Sequence, residues 1–194
     1  LYALFNVCHA HLIARDISST IPFDSRMKFT ESRRSGIRKA TRAGVTVCES
    51  KDLATFWNIL DMNLTNKYAT HPVHSLEELT LLHSRFPNSI RLFMAYNDKG
   101  IAIGGTIIYE MPRVVHSQYI SASPEGKRLG AIDLLFDYIL NNVYANHKGF
   151  LDFGKSTEEQ GKILNTSLIF QKEGFGGRGV CYDCYEWETS SIIE

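Results

Sequence analysis

The sequence predicts an α/β (α+β) protein built on a mixed, largely antiparallel central sheet flanked by helices. Three observations predict it. Residues 90–121 hold three strand-like runs joined by the short turns Asn97-Asp98-Lys99-Gly100 and Glu110-Met111-Pro112, the pattern of an antiparallel meander. Residues 51–86 hold two stretches whose apolar side chains recur at helical spacing. Residues 149–177 read as a buried strand, a polar corner, a helix and a glycine stop, with one more alternating strand at Val180–Trp187.

Composition narrows the function classes. The chain has 194 residues, enough for one ordinary domain with a substantial core, and its 44% apolar and 22% charged residues describe a soluble globular protein. Its 21 basic and 21 acidic residues cancel. No global field therefore draws it to nucleic acid or membrane, and any such attraction must be local. Leu1–Ala14 is apolar but interrupted by Asn6, His9 and His11; it reads as neither a secretion signal nor a membrane span. The start at Leu1 rather than Met gives the expectation of a piece of something longer. The expected division is an N-terminal arm or remnant of a preceding domain over residues 1–30 and one domain over 31–194. Four cysteines do not make a disulfide framework, and Cys181 and Cys184, spaced like half a zinc ribbon, have no second pair. Reduced cysteines, no metal and a cytoplasmic location are expected.

In chain order, Leu1–Ala14 reads as a strand or packed arm and Arg15–Lys28 as a connection, extended at Ile21-Pro22-Phe23. Arg34, Arg38 and Arg42 follow at four-residue intervals, with Arg33 and Lys39 beside them. On a helix they form one basic stripe, either a solvated face or a phosphate-facing surface. Val45–Cys48 alternates like a strand. Ser50 is the expected cap of a helix whose core face is Leu53, Phe56, Trp57, Leu60 and Leu64. Ser75 and Glu78 form a capping box for the next helix, stopped by Pro87. His71 and His74 lie in the loop between, where His74 can reach a substrate.

The meander is Ile90–Tyr96, Ile101–Tyr109 and Arg113–Ser121. Gly104 and Gly105 suggest a bulge or bend in the second strand. The third carries His116, Gln118, Tyr119 and Ser121 where apolar residues are usual, which points to a wet cleft, since burying such groups unpartnered is costly. Ser123 is a natural N-cap with Pro124 in the first helical position. Gly126, Lys127, Arg128, Gly130 and Ala131 follow, small and basic residues that suit a phosphate at a helix N-terminus, although close helix-to-sheet packing uses the same glycines.

The most chemistry lies in Gly149–Gly177. Phe150-Leu151-Asp152-Phe153 is the strand. Ser156 with Glu159 and Thr157 with Gln160 fit capping boxes for a helix that Gly174 closes in the left-handed conformation, with Phe175 folded back. Asp152, Lys155, Ser156, Thr157 and Glu158 crowd the strand-to-helix corner, and Asn165, Gln171 and Lys172 lie along the helix. Strand ends facing helix N-termini bind ligands in α/β proteins, so the corner is the first candidate site.

The order of elements resembles the GNAT acetyltransferase fold. The closing motif Asn165, Phe170, Gly174 and Phe175 carries the likeness most specifically. Closer still is the likeness to the Fem-type peptidyltransferases and related acyltransferase-like bacterial proteins: the tyrosine strand Tyr119–Ser123, the strand end Asp152-Phe153-Gly154, the stretch Phe170-Gln171-Lys172-Glu173-Gly174-Phe175-Gly176-Gly177, and Ile37-Arg38-Lys39-Ala40 before a Gly-Val strand. The resemblance implies an acyltransferase moving an acyl group, acetyl above all, from CoA to an amine or hydroxyl, in cell-envelope or polysaccharide biosynthesis. It implies Ser121, Ser123, Gly126, Lys127, Arg128, Gly130, Ala131 and Asn165 near the CoA, and Lys172 against phosphate or developing negative charge. There are departures. In the pyrophosphate turn Glu125 replaces the usual first polar residue and Arg128 the middle glycine, and Phe170 stands where a tyrosine often protonates the thiolate. Acyl transfer without a covalent intermediate needs a base, for which Glu158 or Asp152 at the corner is favoured and His116 is the other candidate, and Tyr119 to orient the carbonyl. His74, Lys155, Ser156, Thr157 and Gln171 are the expected substrate contacts. Two other readings stay open: an aminoacyl-tRNA-dependent transferase whose basic stripe meets RNA, and a non-catalytic GNAT-like module binding a nucleotide or protein. A homodimer also stays open.

Overall fold

The computed structural model of the chain describes residues 1–189. Its frame is a seven-stranded sheet in the order β2-β3-β4-β5-β6-β1-β9. The strands are β1 (His11–Pro22), β2 (Thr46–Ser50), β3 (Ile90–Tyr96), β4 (Ala102–Glu110), β5 (Val114–Ala122), β6 (Phe150–Lys155) and β9 (Arg178–Glu186). β7 (Thr157–Glu158) and β8 (Ile163–Leu164) form a separate two-stranded hairpin. Within the large sheet only β5 and β6 run parallel.

Strand alternation divides the core in two. Phe93 points to one side, with Ile108, Val115 and Leu151, under Leu135 and Phe136 of α6 (Ala131–Tyr138). Leu92 and Met94 point to the other, under Phe56, Trp57 and Leu60 of α3 (Leu53–Tyr68) and Leu79 of α4 (Leu76–Arg85). The basic helix α2 (Glu31–Arg42) packs on α6. The meander and the Ser75/Glu78 capping box form as the sequence predicts, with both hydrogen bonds of the box present. A bulge does occur beside Gly104: Tyr96 pairs with Ala102 and Ala95 with Gly104, leaving Ile103 unopposed.

Five local expectations need correction. Leu1–Ala14 holds a short exposed helix, α1 (Tyr2–Asn6), and Arg15–Pro22 is not a connection but most of β1, hydrogen-bonded to β6 on one side and β9 on the other. Its serines hid it, since Ser18 and Ser19 are fully buried where apolar residues are usual. Asp52, not Ser50, caps α3, accepting from Thr55 N. Ser156 and Thr157 do not start a helix, because Glu159, Gln160 and Gly161 all take positive φ and turn the chain into the β7–β8 hairpin. The helix α7 (Thr166–Gly174) begins only at Asn165, whose Oδ1 accepts from Leu168 N. Gly174 remains helical, and Gly176 is the residue with positive φ, 85°.

The helix expected after Ser123 is broken in two. Ser123 caps α5 (Pro124–Leu129) by accepting from Gly126 N, and Gly130 closes it at φ 81° before α6 begins. α6 then runs into a π-helical turn at Ile139–Val143. Gly126 is required by packing: a Cβ there would lie 2.0 Å from the carbonyl oxygen of Ile103. Replacing Gly126 with Ala should therefore lower the unfolding free energy by about 1–3 kcal/mol, the usual cost of overpacking, as read from urea denaturation. An unchanged midpoint would show that α5 lifts freely off β4.

Candidate active site

The parallel ladder between β5 and β6 contains three residue pairs, Val114 with Phe150, Val115 with Leu151 and His116 with Asp152. Beyond His116 the two strands part. The opening is a cleft of about 380 Å³ walled by Ile120, Ser121 and Ala122 of β5, Phe153 of β6, and side chains of α3, α6 and α7. Its apolar lining includes Leu60, Leu64, Ile132, Phe136, Leu168 and Phe175, with Lys127, Gln171 and Lys172 as polar groups. Such a cavity, mostly apolar with a few convergent polar groups, is the usual form of a small-molecule site.

At the fork stands a hydrogen-bonded line. Ser18 Oγ donates to Asp152 Oδ1 at 2.5 Å, and Asp152 Oδ2 lies 2.6 Å from His116 Nδ1. His116 Nε2 lies 3.1 Å from Gln118 Oε1. Two acceptors thus face the two ring nitrogens, and together they satisfy the imidazolium form, with both N–H groups donated. Rotating the Gln118 amide would present its NH₂ to a neutral Nε2 instead. Burial pushes the Asp152 carboxyl up, but the hydrogen bonds from His116 and Ser18, the His116 charge and the Gly154 N–H outweigh burial and hold it below the usual carboxylate range. Gly154 also keeps room beside the imidazole, since a Cβ there would lie 3.3 Å from His116 Cε1.

A β-bulge brings a second pair to the same face. Ile107 pairs with Tyr119 and Ile108 with Ser117, so Gln118 is the extra residue on β5. In an unbroken strand His116 and Tyr119, three apart, would face opposite sides. With the bulge both face α3 and α4. His116 pairs with Tyr109, which packs there, and Tyr119 stands edge-on to Trp57 at 5.3 Å between ring centroids. His74 Nδ1 lies 2.5 Å from Tyr119 Oη. Tyr109 Oη is buried without a hydrogen-bond partner; burial, reinforced by Tyr119, pushes its pKa up.

Lys172 is anchored at the end of β6. It is 5% exposed, and its Nζ donates to Gly154 O at 2.8 Å, Lys155 O at 2.9 Å and Ser156 Oγ at 2.9 Å. All three ammonium protons are thereby engaged. Burial lowers its pKa to about 8, with the Asp152 charge opposing the shift.

The structure thus joins Asp152 with His116 at the fork and Tyr119 with His74 on the same face of the sheet, and sets Ser121, Lys127, Gln171 and Lys172 on the cleft wall. It separates the rest. Glu158 is exposed on the β7–β8 hairpin, where its Oε1 accepts from Asn165 Nδ2, so the strand-to-helix corner does not exist as expected. Lys155 is exposed and pairs with Asp16 at 3.3 Å, and Thr157 Oγ1 donates to the same carboxylate. Ser156 serves Lys172. At the turn, Lys127 Nζ donates to Asn63 Oδ1, Arg128 is exposed and 3.7 Å from Glu125, and Ala131 is buried beneath α2. The basic stripe is partly spent, since Arg34 and Arg38 both pair with Glu31 and Arg33 with Asp133. Phe170 is 75% exposed. Among the described residues no cluster of three or more metal-ligating side chains occurs, and all four cysteines are free.

Sequence reasoning passed over Ser18, which it placed in a connection, and Tyr109, which looks like any strand aromatic. It noticed Gln118 but not the bulge, whose only sequence signal is the polar run from His116 to Gln118.

The mixed sheet opens between two parallel neighbours, with a capped helix start beside the opening. Residues 27–160, more than half of the chain, match the family described as acetyltransferase (GNAT) domain, and the chain belongs to that family. No curated protein sequence matches it. Among solved structures it is similar to FemX, with TM-score 0.69 and 12% identity over 86% of this chain and 61% of that one. It is also similar to L-PGS from Bacillus licheniformis, with TM-score 0.65 and 13% identity over 98% of this chain and 66% of that one. The chain spans less than two thirds of either protein. At these identities the likeness is one of fold, and it agrees with the Fem-type resemblance of the sequence. No helix among the described residues is long and apolar enough to cross a membrane.

The Lys172 shift sets a pH test. Its folded pKa, about 8, lies below the ordinary lysine value of 10.5. Between these values the unfolded chain binds more protons than the folded one, so stability contributed by this group rises as pH goes from about 8 toward 10.5. The difference in unfolding free energy between wild type and Lys172→Met should widen across that window. Wild-type and variant curves that stay parallel would mean that Lys172 is solvated.

Proposed function

We propose that the chain transfers an acyl group from an activated donor in the β5–β6 cleft to an amine or hydroxyl, with His116 as general base. The observation that carries this reading is the Ser18–Asp152–His116 line at the fork. The ionised Asp152 holds the imidazole through Nδ1 and stabilises the positive charge that forms when Nε2 takes a proton. The acceptor's N–H or O–H loses that proton to Nε2 as its nitrogen or oxygen bonds to the acyl carbon. The resulting tetrahedral oxyanion collapses, the acyl–donor bond breaks, and the leaving thiolate or alkoxide takes up the proton from Nε2, which returns the imidazole to its neutral form. Tyr119, oriented by His74, is the hydroxyl placed to face the carbonyl. Lys172, with its protons engaged by β6 and Ser156, positions α7 and Gln171 against the cleft and supplies fixed positive charge behind it.

Acetyl-CoA is the first donor to test, and the apolar cleft between β5 and α7 supports it. A second reading, transfer from an aminoacyl ester, has its own support in the α5 turn. There Ser123 already caps the helix, Gly126 is explained by its contact with Ile103, and Glu125 puts a carboxylate where a pyrophosphate would sit. A non-catalytic module accounts for the exposed Phe170 but leaves the Ser18–Asp152–His116 line without a purpose.

Calorimetric titration with acetyl-CoA separates the two donors, and turnover of the donor that binds tests the base. Replacing His116 with Ala should lower kcat by roughly 100-fold or more. Asp152→Asn should lower it by a comparable factor without weakening donor binding. Glu158→Gln should leave the rate within about threefold, well short of the loss expected for a base. A His116→Ala protein that turns over at the wild-type rate would remove this mechanism.

A further inference from the structure

A second cavity lies between α2, α6 and residues 26–29. Its volume is about 460 Å³, within the range of small-molecule sites. The floor is apolar, formed by Ile21, Ile37, Leu140 and Phe175, while Arg26, Lys28 and Arg34 stand among its lining residues. Arg26 is fixed in place by donating Nη1 to Leu140 O at 2.7 Å and to Asn141 Oδ1 at 3.0 Å, which leaves its other N–H groups available. Arg34 pairs only with exposed Glu31, a contact of small energy that is readily exchanged. Lys28 makes no ion pair among the described residues. Asp137 is the one carboxylate in the lining, and it accepts from Asn141 Nδ2 at 2.8 Å; Glu31, outside the lining, is the partner of Arg34.

We propose that this cavity binds an amphiphilic anion: an alkyl or acyl chain lies on the apolar floor, and its phosphate meets Arg26, Lys28 and Arg34. Neither part of the lining accounts for such a ligand alone. A purely polar anion would leave the apolar floor unfilled, and a neutral amphiphile would leave Arg26 and Lys28 without an anionic partner among the described residues, Arg34 alone being paired, with Glu31. Phosphate suits the cationic side because it accepts several charge-assisted hydrogen bonds at once. The inference is independent of the chemistry at His116, yet the two sites share a wall, since Phe175 lines both cavities.

The test is calorimetric titration of the full chain with monomeric dodecyl phosphate, alongside inorganic phosphate and the neutral dodecyl maltoside. Saturable one-to-one binding of dodecyl phosphate alone is expected. The double variant Lys28→Ala, Arg34→Ala should weaken it about tenfold or more. Ile37→Trp should block it by filling the floor, with thermal unfolding showing that each variant is folded. Should Ile37→Trp fail to fold, the exposed charge variants still decide the matter. Cosedimentation with phosphatidylcholine vesicles, with and without phosphatidic acid, distinguishes a membrane lipid from a free amphiphile as the source. The proposal is overturned by absence of saturable binding, by equal binding of the neutral amphiphile or of inorganic phosphate, or by affinity unchanged in both variants.

Discussion

The functional face depends on the early end of one hydrogen-bond ladder. After three parallel pairs β5 and β6 separate, and the last pair, His116 with Asp152, closes the ladder with a side-chain hydrogen bond. A fourth or fifth pair would remove the opening between Ile120 and Phe153. Past the ladder β6 has other partners. Beyond Asp152 its carbonyls at Gly154 and Lys155 accept from Lys172, and β1 pairs along its other edge. Backbone groups of β6 past the short ladder thus have partners, in agreement with the rule that buried backbone groups find them.

The same region concentrates charge that would be costly alone. Asp152 and Lys172 are both nearly buried, and isolated charges at such positions would be neutralised rather than retained. Each is instead given hydrogen-bond partners: Ser18, His116 and the Gly154 N–H for the carboxylate, and two carbonyls and a hydroxyl for the ammonium. Their shifts have different outcomes for one physical reason. Asp152 gains enough hydrogen bonds from charged and polar donors to overcome burial, whereas the acceptors of Lys172 do not. A carboxylate kept ionised beside an imidazole is suited to holding a proton acceptor in orientation.

Much of the fold was legible because it rests on local rules. The Ser75 capping box, the Ser123–Pro124 helix start and the meander turns follow from residue chemistry within a few positions. Failures came where distant partners decided. The Ser156–Gln160 stretch has the pattern of a helix start, yet Ser156 is engaged by Lys172, and Thr157 by Asp16 and the backbone N–H of Ile17. β1 looked like a linker because its buried serines are polar, and their environment comes from β6 and β9. The candidate site was half legible. Asp152, His116, Tyr119 and Lys172 were named from sequence, but the pairing of His116 with Asp152 and the bulge that aligns Tyr119 are tertiary facts. Glu158 was named from the polar corner, and the helix expected to start there gives way to the β7–β8 hairpin that carries it.

The central claim is that Asp152 holds His116 with a proton on Nδ1, and that Nε2 exchanges protons with the acceptor once the acceptor displaces Gln118 from it. Nitrogen-15 NMR of the histidine ring, read through its two-bond proton couplings as pH is varied, tests this directly. The account predicts that when neutral His116 carries its proton on Nδ1, and that Asp152→Asn abolishes that preference. A neutral His116 protonated on Nε2 in the wild-type protein would contradict the account.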